Sequence, residues 1–201
     1  MDADAVELRV LGCLIEKQRT TPDAYPLSLN SLRLACNQST NRNPVVAFEE
    51  PEIRTALERL GRRGWTRLAS ASRAVKYRHL FDDAVGVDAE EISVLAVLML
   101  RGPQTLGELK ARTERLHPFG SIDEVEATLE RLITRELAER QERRPGQKEE
   151  RFAQLLGDSG AQDVPVAATG GGSRVDGLET RIAQLESQVA ELQQLLDSLT
   201  A

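Results

Sequence analysis

The sequence predicts a mainly α-helical α+β fold, in which two copies of one small module are followed by a flexible linker and a C-terminal coiled-coil helix. Three observations support this prediction: an internal repeat, the same order of helices and strands in both copies, and a heptad pattern near the end of the chain. Hydrophobic residues make up 40% of the 201 residues but aromatic residues only 3%, so aliphatic side chains must form the core. Such a composition favours helices.

The repeat is clearest in two stretches that align without gaps, residues 52–69 (EIRTALERLGRRGWTRLA) and residues 124–141 (EVEATLERLITRELAERQ). Upstream of these, residues 7–15 match residues 91–99 at their apolar positions. The offset between the copies falls from 84 residues at the first match to 72 at the second, so the first copy has longer connections around its second helix. Two copies of one module explain this pattern better than one large domain.

The first two helices of each copy follow from apolar spacing and a cap. Apolar residues at helical spacing predict the first helix: Val6, Val10, Leu11, Leu14 and Ile15. Its counterpart in the second copy spans about residues 88–100. Ser28 is a good N-cap for the second helix, and Leu27 and Leu32 are placed to form a hydrophobic staple.

The third helix and the strands complete each copy. Ile53, Ala56, Leu57 and Leu60 predict the buried side of the third helix, and a capping box of Ser121 and Glu124 is expected to begin its counterpart. Two short strand-like runs joined by a polar turn follow in each copy, in residues 65–70 and 74–80 and in residues 137–142 and 150–156. Three helices followed by a two-stranded hairpin is the order of a winged helix. The predicted domains are therefore residues 1–83 and 84–156, with a linker at 157–173 and a coiled-coil helix at 174–201.

A longer stretch, residues 12–45 (GCLIEKQRTTPDAYPLSLNSLRLACNQSTNRNPV), resembles the YceH-like proteins, a bacterial family of tandem winged-helix proteins of unassigned biochemical role. The resemblance extends from about Val10 through the second winged helix. It implies the tandem fold and a bacterial cytoplasmic setting. It implies no activity, so no catalytic residues can be transferred from it.

Several classes of protein are not expected. No apolar run reaches the roughly 18 residues of a membrane helix, and the acidic N-terminal stretch lacks the features of a signal peptide. We therefore expect a cytoplasmic protein with no membrane partner. Without a phosphate-binding loop, a metal-ligand spacing or a catalytic set around its two histidines, the chain is expected to be no enzyme and to hold no metal or cofactor. Cys13 and Cys36 are predicted to be reduced core thiols.

Double-stranded DNA is the partner that a winged helix first suggests. Residues 1–87 have 13 basic and 11 acidic side chains, a net charge of +2, whereas residues 88–156 have a net charge of −3 and the remainder −5. Any DNA contact should therefore come mainly from the first copy. The candidate contacts lie near the corner before the third helix, on that helix and on the hairpin: Arg33, Asn37, Gln38, Ser39, Thr40, Asn41, Arg42, Arg54, Arg73, Lys76 and Arg78.

Two alternatives stay open for this surface. The polar run from Asn37 to Asn43 is either a contact surface or a self-capped connection between helices. Three carboxylates crowd the start of the third helix and would repel phosphate: Glu49, Glu50 and Glu52. Arg54 is expected to pair with Glu50 or Glu58, and Arg62 with Glu58, at helical i, i+4 spacing. A protein-interaction adaptor that does not bind DNA is therefore the alternative function.

The tail predicts self-association. Residues 157–173 are rich in Gly, Ala and Ser and read as a flexible linker. Beyond them, apolar residues alternate at steps of three and four: Val175, Leu178, Ile182, Leu185, Val189, Leu192, Leu196 and Leu199. Mostly β-branched residues at a and Leu at every d favour a parallel homodimer, with Arg174 and Arg181 facing Glu179 and Glu186 of the other chain. The competing interpretation is that this helix packs back on its own chain.

Overall fold

The computed structural model describes residues 2–71, 74–143 and 149–158, all within one compact unit, Met1–Gln162. Arg73, the predicted coiled-coil helix and all but the start of the predicted linker lie outside the described residues. Within them the protein is a mixed α+β structure of helices and small antiparallel sheets, which confirms the predicted fold class at that level.

The first repeat consists, in chain order, of α1 (Ala5–Thr20), β1 (Leu27–Ser28), α2 (Leu29–Cys36), α3 (Glu50–Arg62), β2 (Thr66–Ala71) and β3 (Ala74–His79). A short helix, α4 (Phe81–Val85), connects it to the second repeat. The second repeat consists of α5 (Ala89–Arg101), α6 (Leu106–Thr113), α7 (Ile122–Thr134), β4 (Ala138–Gln141) and β5 (Arg151–Gln154). Each repeat thus has three helices before an antiparallel hairpin, in the predicted order.

The predicted caps are confirmed at α2 and need a correction at α7. The Ser28 hydroxyl accepts a hydrogen bond from the Ser31 N–H at 3.2 Å, and Leu27 and Leu32 are both buried. At α7 the Ser121 hydroxyl accepts from the Glu124 N–H, but the Glu124 carboxylate accepts from the Gly120 N–H at 2.8 Å. The predicted capping box is therefore wrong, because the returning bond reaches one residue further upstream.

The hairpin of the first repeat belongs to a three-stranded sheet of order β1-β3-β2. The sequence did not predict β1, whose two residues pair with Tyr77 and Lys76 of β3. In the hairpin itself Thr66 lies opposite His79, Arg67 opposite Arg78 and Leu68 opposite Tyr77. In the second repeat, Ala138 lies opposite Gln154 and Glu139 opposite Ala153. This register makes each hairpin position comparable with its counterpart in the other repeat.

The two repeats share one hydrophobic core, centred on α1 and α5. A single apolar stripe was expected on α1, but residues 7–15 are all buried because α1 packs against α5 as well as against α2 and α3. The two helices come close at Gly12, where an added Cβ would lie 2.9 Å from Leu100 Cγ. The N-terminus also reaches the second repeat, since the Ala3 N–H donates to the Leu156 carbonyl at 3.0 Å.

Candidate nucleic-acid interface

The charge pattern of the repeat is largely structural. In the first repeat Arg59 on α3 pairs with Asp4, the N-cap of α1, at 2.6 Å, and Arg63 lies 3.6 Å from the buried carboxylate of Glu7. The second repeat has the same arrangement: Arg131 pairs with Asp88 and Arg135 with Glu91. These four arginines therefore attach the third helix of each repeat to its first helix, and we assign them no role in binding.

Arg42, in the corner between α2 and α3, is buried, and its guanidinium is used inside the protein. It forms a two-pronged ion pair with Glu16 of α1, at 3.1 and 2.6 Å, and donates to the Ala35 carbonyl at 3.1 Å. Burial raises the pKa of Glu16, but the hydrogen bonds and charge of Arg42 outweigh it and leave that pKa below its ordinary value. Arg42 was expected to contact DNA; the structure instead makes it the anchor of the corner.

Two further polar residues of the corner, Asn37 and Gln38, also form hydrogen bonds within the protein. The Asn37 carboxamide donates to the Phe48 carbonyl at 2.8 Å and accepts from the Phe48 N–H at 2.9 Å. Gln38 accepts from Arg42. A second buried arginine, Arg9 of α1, donates to the carbonyls of Cys36 and Pro44, which holds both sides of the corner.

The far end of the corner binds the second repeat. The Asn43 N–H donates to the Leu100 carbonyl at 2.9 Å, and the Asn43 carboxamide donates to the Arg101 carbonyl. Arg101 in turn donates to the Asn41 side chain. Carbonyls at the end of a helix have no partner within it, so the corner caps α5. Of the corner's predicted contacts, this leaves Ser39 and Thr40 as exposed side chains without a partner among the described residues.

Within the described residues, two arginines of α3, Arg54 and Arg62, lack the ion pairs that were predicted for them. The expected pairs of Arg54 with Glu50 or Glu58, and of Arg62 with Glu58, do not form in the described structure, and both guanidinium groups are exposed. Arg33, on α2, is half-buried and makes only a long hydrogen bond of 3.4 Å to Asn30. The prediction of i, i+4 pairing on α3 was therefore wrong.

The hairpin brings together three cations that are unpaired within the described residues. Facing residues of an antiparallel pair share one side of the sheet, and so do residues two apart along a strand. Arg67, Arg78 and Lys76 therefore lie on one side, with the small Ala69 opposite Lys76. No carboxylate in the described part of the chain pairs with any of them, and the buried Nε of Arg78 has no partner. We call Arg67, Lys76 and Arg78 the wing cations.

Arg67 was missed in the sequence. Strand residues alternate between the two sides of a sheet, and this alternation was the signal that could have identified it. Arg67 and Ala69 are two residues apart and so share one side, and Ala69 lies opposite Lys76. In the second repeat the positions of Arg67 and Arg78 hold Glu139 and Ala153. The position of Lys76 holds Arg151, which pairs with Glu108 at 3.0 Å. In the described part of the two hairpins, the unpaired basic face therefore occurs only in the first repeat.

The start of α3 has the opposite charge. Glu49 caps the helix, its N–H donates to the Glu52 carboxylate at 2.8 Å, and both side chains are exposed together with that of Glu50. These carboxylates complement the positive end of the helix dipole. They also make this end of α3 unfavourable for phosphate.

Two polar side chains meet at the end of β3, the buried His79 and the half-buried Tyr25. The His79 side chain, at the end of β3, contacts Gln18 and Asp82. The backbone N–H of His79 donates to the Tyr25 hydroxyl at 2.8 Å. Burial lowers the pKa of His79 to about 4, although the Asp82 carboxylate opposes this shift. Burial also raises the pKa of Tyr25 to about 12. Both side chains therefore support the sheet in their neutral forms.

The cysteines and the potential metal ligands of the described residues form no site of their own. Cys13 and Cys36 are free and buried, as predicted. Among the residues that the structure describes, no group of three or more His, Cys, Asp or Glu side chains could hold a metal ion. No helix of the described ranges is long and apolar enough to cross a membrane.

Residues 3–147 match the family described as "Protein of unknown function, DUF480". The chain belongs to this family. It is similar to bacterial proteins that share the name UPF0502 protein, which confirms the membership of an uncharacterised bacterial family inferred from residues 12–45. Neither the family description nor these names state an activity.

Three relatives illustrate the extent of the similarity. The UPF0502 protein of Dechloromonas aromatica is 46% identical over 199 residues, covering 95% of this chain and 92% of the relative. That of Geobacter sulfurreducens is 46% identical over 193 residues, covering 93% and 88%. That of Xanthomonas campestris pv. campestris is 44% identical over 207 residues, covering 98% and 92%. The match to Xanthomonas therefore extends beyond the described residues into the predicted tail.

Proposed function

We propose that this protein is a non-enzymatic tandem winged-helix protein that binds double-stranded DNA through its first repeat. The observation that carries the proposal is the set of wing cations, Arg67, Lys76 and Arg78, which share one side of a hairpin and are unpaired within the described structure. Equal charges in facing strand positions repel each other, so the free protein keeps this cluster at a cost. A phosphate backbone supplies the anions that would neutralise it.

The order of elements supports the winged-helix interpretation. In the first repeat α1, α2 and α3 precede the β2–β3 hairpin, and β1, between α1 and α2, adds a third strand to that hairpin. A helix-turn-helix followed by such a hairpin is an arrangement typical of DNA-binding proteins. The fold alone is only an analogy, which is why the proposal rests on the charges.

Among the described residues, the second repeat lacks the same surface. Arg140 and Arg143, at its hairpin, each pair with Glu150, and Arg151 pairs with Glu108. Cations already neutralised by carboxylates release fewer counterions from DNA and add little affinity. We therefore assign DNA binding to the first repeat and a structural role to the second.

Equilibrium binding of the full chain to a labelled duplex tests this proposal. At about 50 mM salt the protein should bind, and replacing all three wing cations with Ala should weaken binding by more than about tenfold. The matched control removes three cations from the second repeat, as Lys110→Ala, Arg112→Ala and Arg115→Ala, and should change affinity much less. Absence of binding at this salt concentration, or equal losses in the two triple variants, would contradict the proposal.

A protein-interaction adaptor remains the second candidate, because the other side of the same hairpin has two exposed apolar side chains. Leu68 and Val75 lie on the side opposite the wing cations and are 59% and 60% exposed. Exposed apolar side chains close together mark protein contact sites more often than scattered ones do. This candidate predicts a chain that binds no duplex and whose wing cations can be replaced without effect.

We further propose that the protein forms a homodimer through residues 174–201. The support is the heptad pattern of that segment, with Val175, Ile182, Val189 and Leu196 at a positions and Leu178, Leu185, Leu192 and Leu199 at d positions. A dimer would present two first repeats to one duplex, and linked sites raise the effective affinity without new contacts.

A further inference from the structure

We infer that the wing cations of the first repeat bind the phosphate backbone of DNA and that this repeat does not read the bases. Binding is then independent of DNA sequence. This inference rests on the proposed function and specifies its partner: any duplex phosphate backbone rather than one operator. Three independent features of the first repeat lead to it.

The first feature is that the carboxamide side chains of the first repeat are already engaged. Free Asn and Gln side chains are the usual readers of adenine in the major groove. The repeat has six of them, and each makes a hydrogen bond within the protein: Gln18, Asn30, Asn37, Gln38, Asn41 and Asn43. Reading a base with Asn41 or Asn43 would break contacts that hold the corner to α5.

The second feature is the charge of α3. In a helix-turn-helix the N-terminal residues of the recognition helix approach the base edges. Here that end presents the exposed carboxylates of Glu49, Glu50 and Glu52. The Glu52 carboxylate also accepts from the Glu49 N–H in the cap of the helix, so it cannot turn away without losing that bond. Entry of α3 into a groove would place these carboxylates among phosphates.

The third feature is the shape of the basic face. Lys76 and Arg78 are two residues apart on β3, which places them about 7 Å apart along the strand. Arg67 lies beside Arg78, and the small Ala69 lies beside Lys76. No acidic residue occupies this side in the described part of the two strands. An extended row of cations of this kind fits a phosphate backbone, and phosphate contacts carry no direct sequence information.

The test measures binding of the full chain to two labelled duplexes of equal length and unrelated sequence, one A·T-rich and one G·C-rich. The dissociation constants should agree within about threefold, since phosphate contacts dominate both. The wing variant (Arg67→Ala, Lys76→Ala, Arg78→Ala) should lose affinity equally for both duplexes. The helix variant (Arg54→Ala, Arg62→Ala) should keep most of its affinity for both.

Selection of bound duplexes from a random-sequence pool provides the second measurement. We expect no shared motif to be enriched. Enrichment of a motif, or a greater loss in the helix variant than in the wing variant, would overturn the inference while leaving DNA binding intact. Failure of the full chain to bind either duplex or the pool would instead overturn the proposed function itself. Circular dichroism of each variant confirms that a loss of binding does not reflect unfolding.

Discussion

Arg67 of β2 lies directly opposite Arg78 of β3, and no carboxylate in the described part of the chain pairs with either. Equal charges in facing positions destabilise a hairpin by roughly 0.2–1 kcal/mol. At the same positions the second repeat has Glu139 and Ala153, which avoid the repulsion. The first repeat therefore keeps an unfavourable pair that an anionic partner would relieve.

The variant Arg67→Glu should make the free protein more stable and the complex weaker. It places the acidic residue of the second repeat opposite Arg78, which replaces repulsion by attraction and should raise the free energy of unfolding by about 0.5–1 kcal/mol at low salt. Urea unfolding measures this gain, which should shrink at about 0.5 M salt because exposed charges are screened. Arg67→Ala serves as the control that only removes the repulsion. Unchanged or reduced stability of Arg67→Glu would show that the pair is not strained.

Replacing Arg42 should damage the fold rather than remove a contact with DNA. Arg42→Ala leaves the half-buried Glu16 carboxylate with only the longer contact to Lys17, at 3.5 Å, and we expect a loss of about 3 kcal/mol in the free energy of unfolding. Arg42→Lys should recover little, because a single ammonium cannot reproduce the two-pronged pair. Arg54→Ala, an exposed cation without an ion pair in the described structure, is the control and should change stability by less than about 0.5 kcal/mol. A stable Arg42→Ala protein with weakened DNA binding would reverse this assignment.

The stability of the protein should fall between about pH 6.5 and pH 4 because of His79. Its pKa in the folded protein is about 4, below the ordinary value of about 6.5, so the unfolded chain binds the proton first. The stabilisation is therefore complete above about pH 6.5 and is lost as the pH falls, by on the order of 3 kcal/mol at most. In His79→Gln, which introduces the residue found at this position in the second repeat, the pH dependence above about pH 4.5 should flatten. The same slope in both proteins would exclude His79 as its source.

Removal of residues 173–201 should halve the mass of the particle. Sedimentation equilibrium of the full chain should give a dimer, and the chain ending at Gly172 should give a monomer, since the a and d residues of the heptads are absent. Replacing Leu185 and Leu192 with Asp in the full chain is the matched control, because it keeps the length but not the apolar seam. The same number of chains per particle for the full and the shortened chain would contradict self-association through the tail.

The sequence predicted the elements well because each depends on local spacing. Ile53, Ala56, Leu57 and Leu60 recur at helical intervals, and all four are buried on α3 as expected. The alternation of residues in the hairpins likewise sufficed to place β2 to β5. The strand β1 could not be predicted in this way, since two residues are too few to show a period.

The candidate site was harder to predict because it depends on what each polar side chain meets in three dimensions. Arg42 and Arg67 look alike in the sequence, but one lies buried against Glu16, which precedes it by 26 residues, and the other is exposed on a strand. Asn41 and Asn43 bind Arg101 and Leu100 of the second repeat, and no local sequence pattern predicts such contacts. Composition identified the first repeat as the more basic one, and only the strand register identified which cations share a face.

The salt dependence of duplex binding tests the central claim most directly. The logarithm of the binding constant should fall linearly with the logarithm of the salt concentration for the full chain, with a slope set by the number of phosphates neutralised. Replacing Arg67, Lys76 and Arg78 with Ala should make that slope less steep by about 2.7, or about 0.9 for each cation. A slope that stays the same in the triple variant, or a full chain with no measurable affinity at about 50 mM salt, would contradict DNA binding by the wing cations.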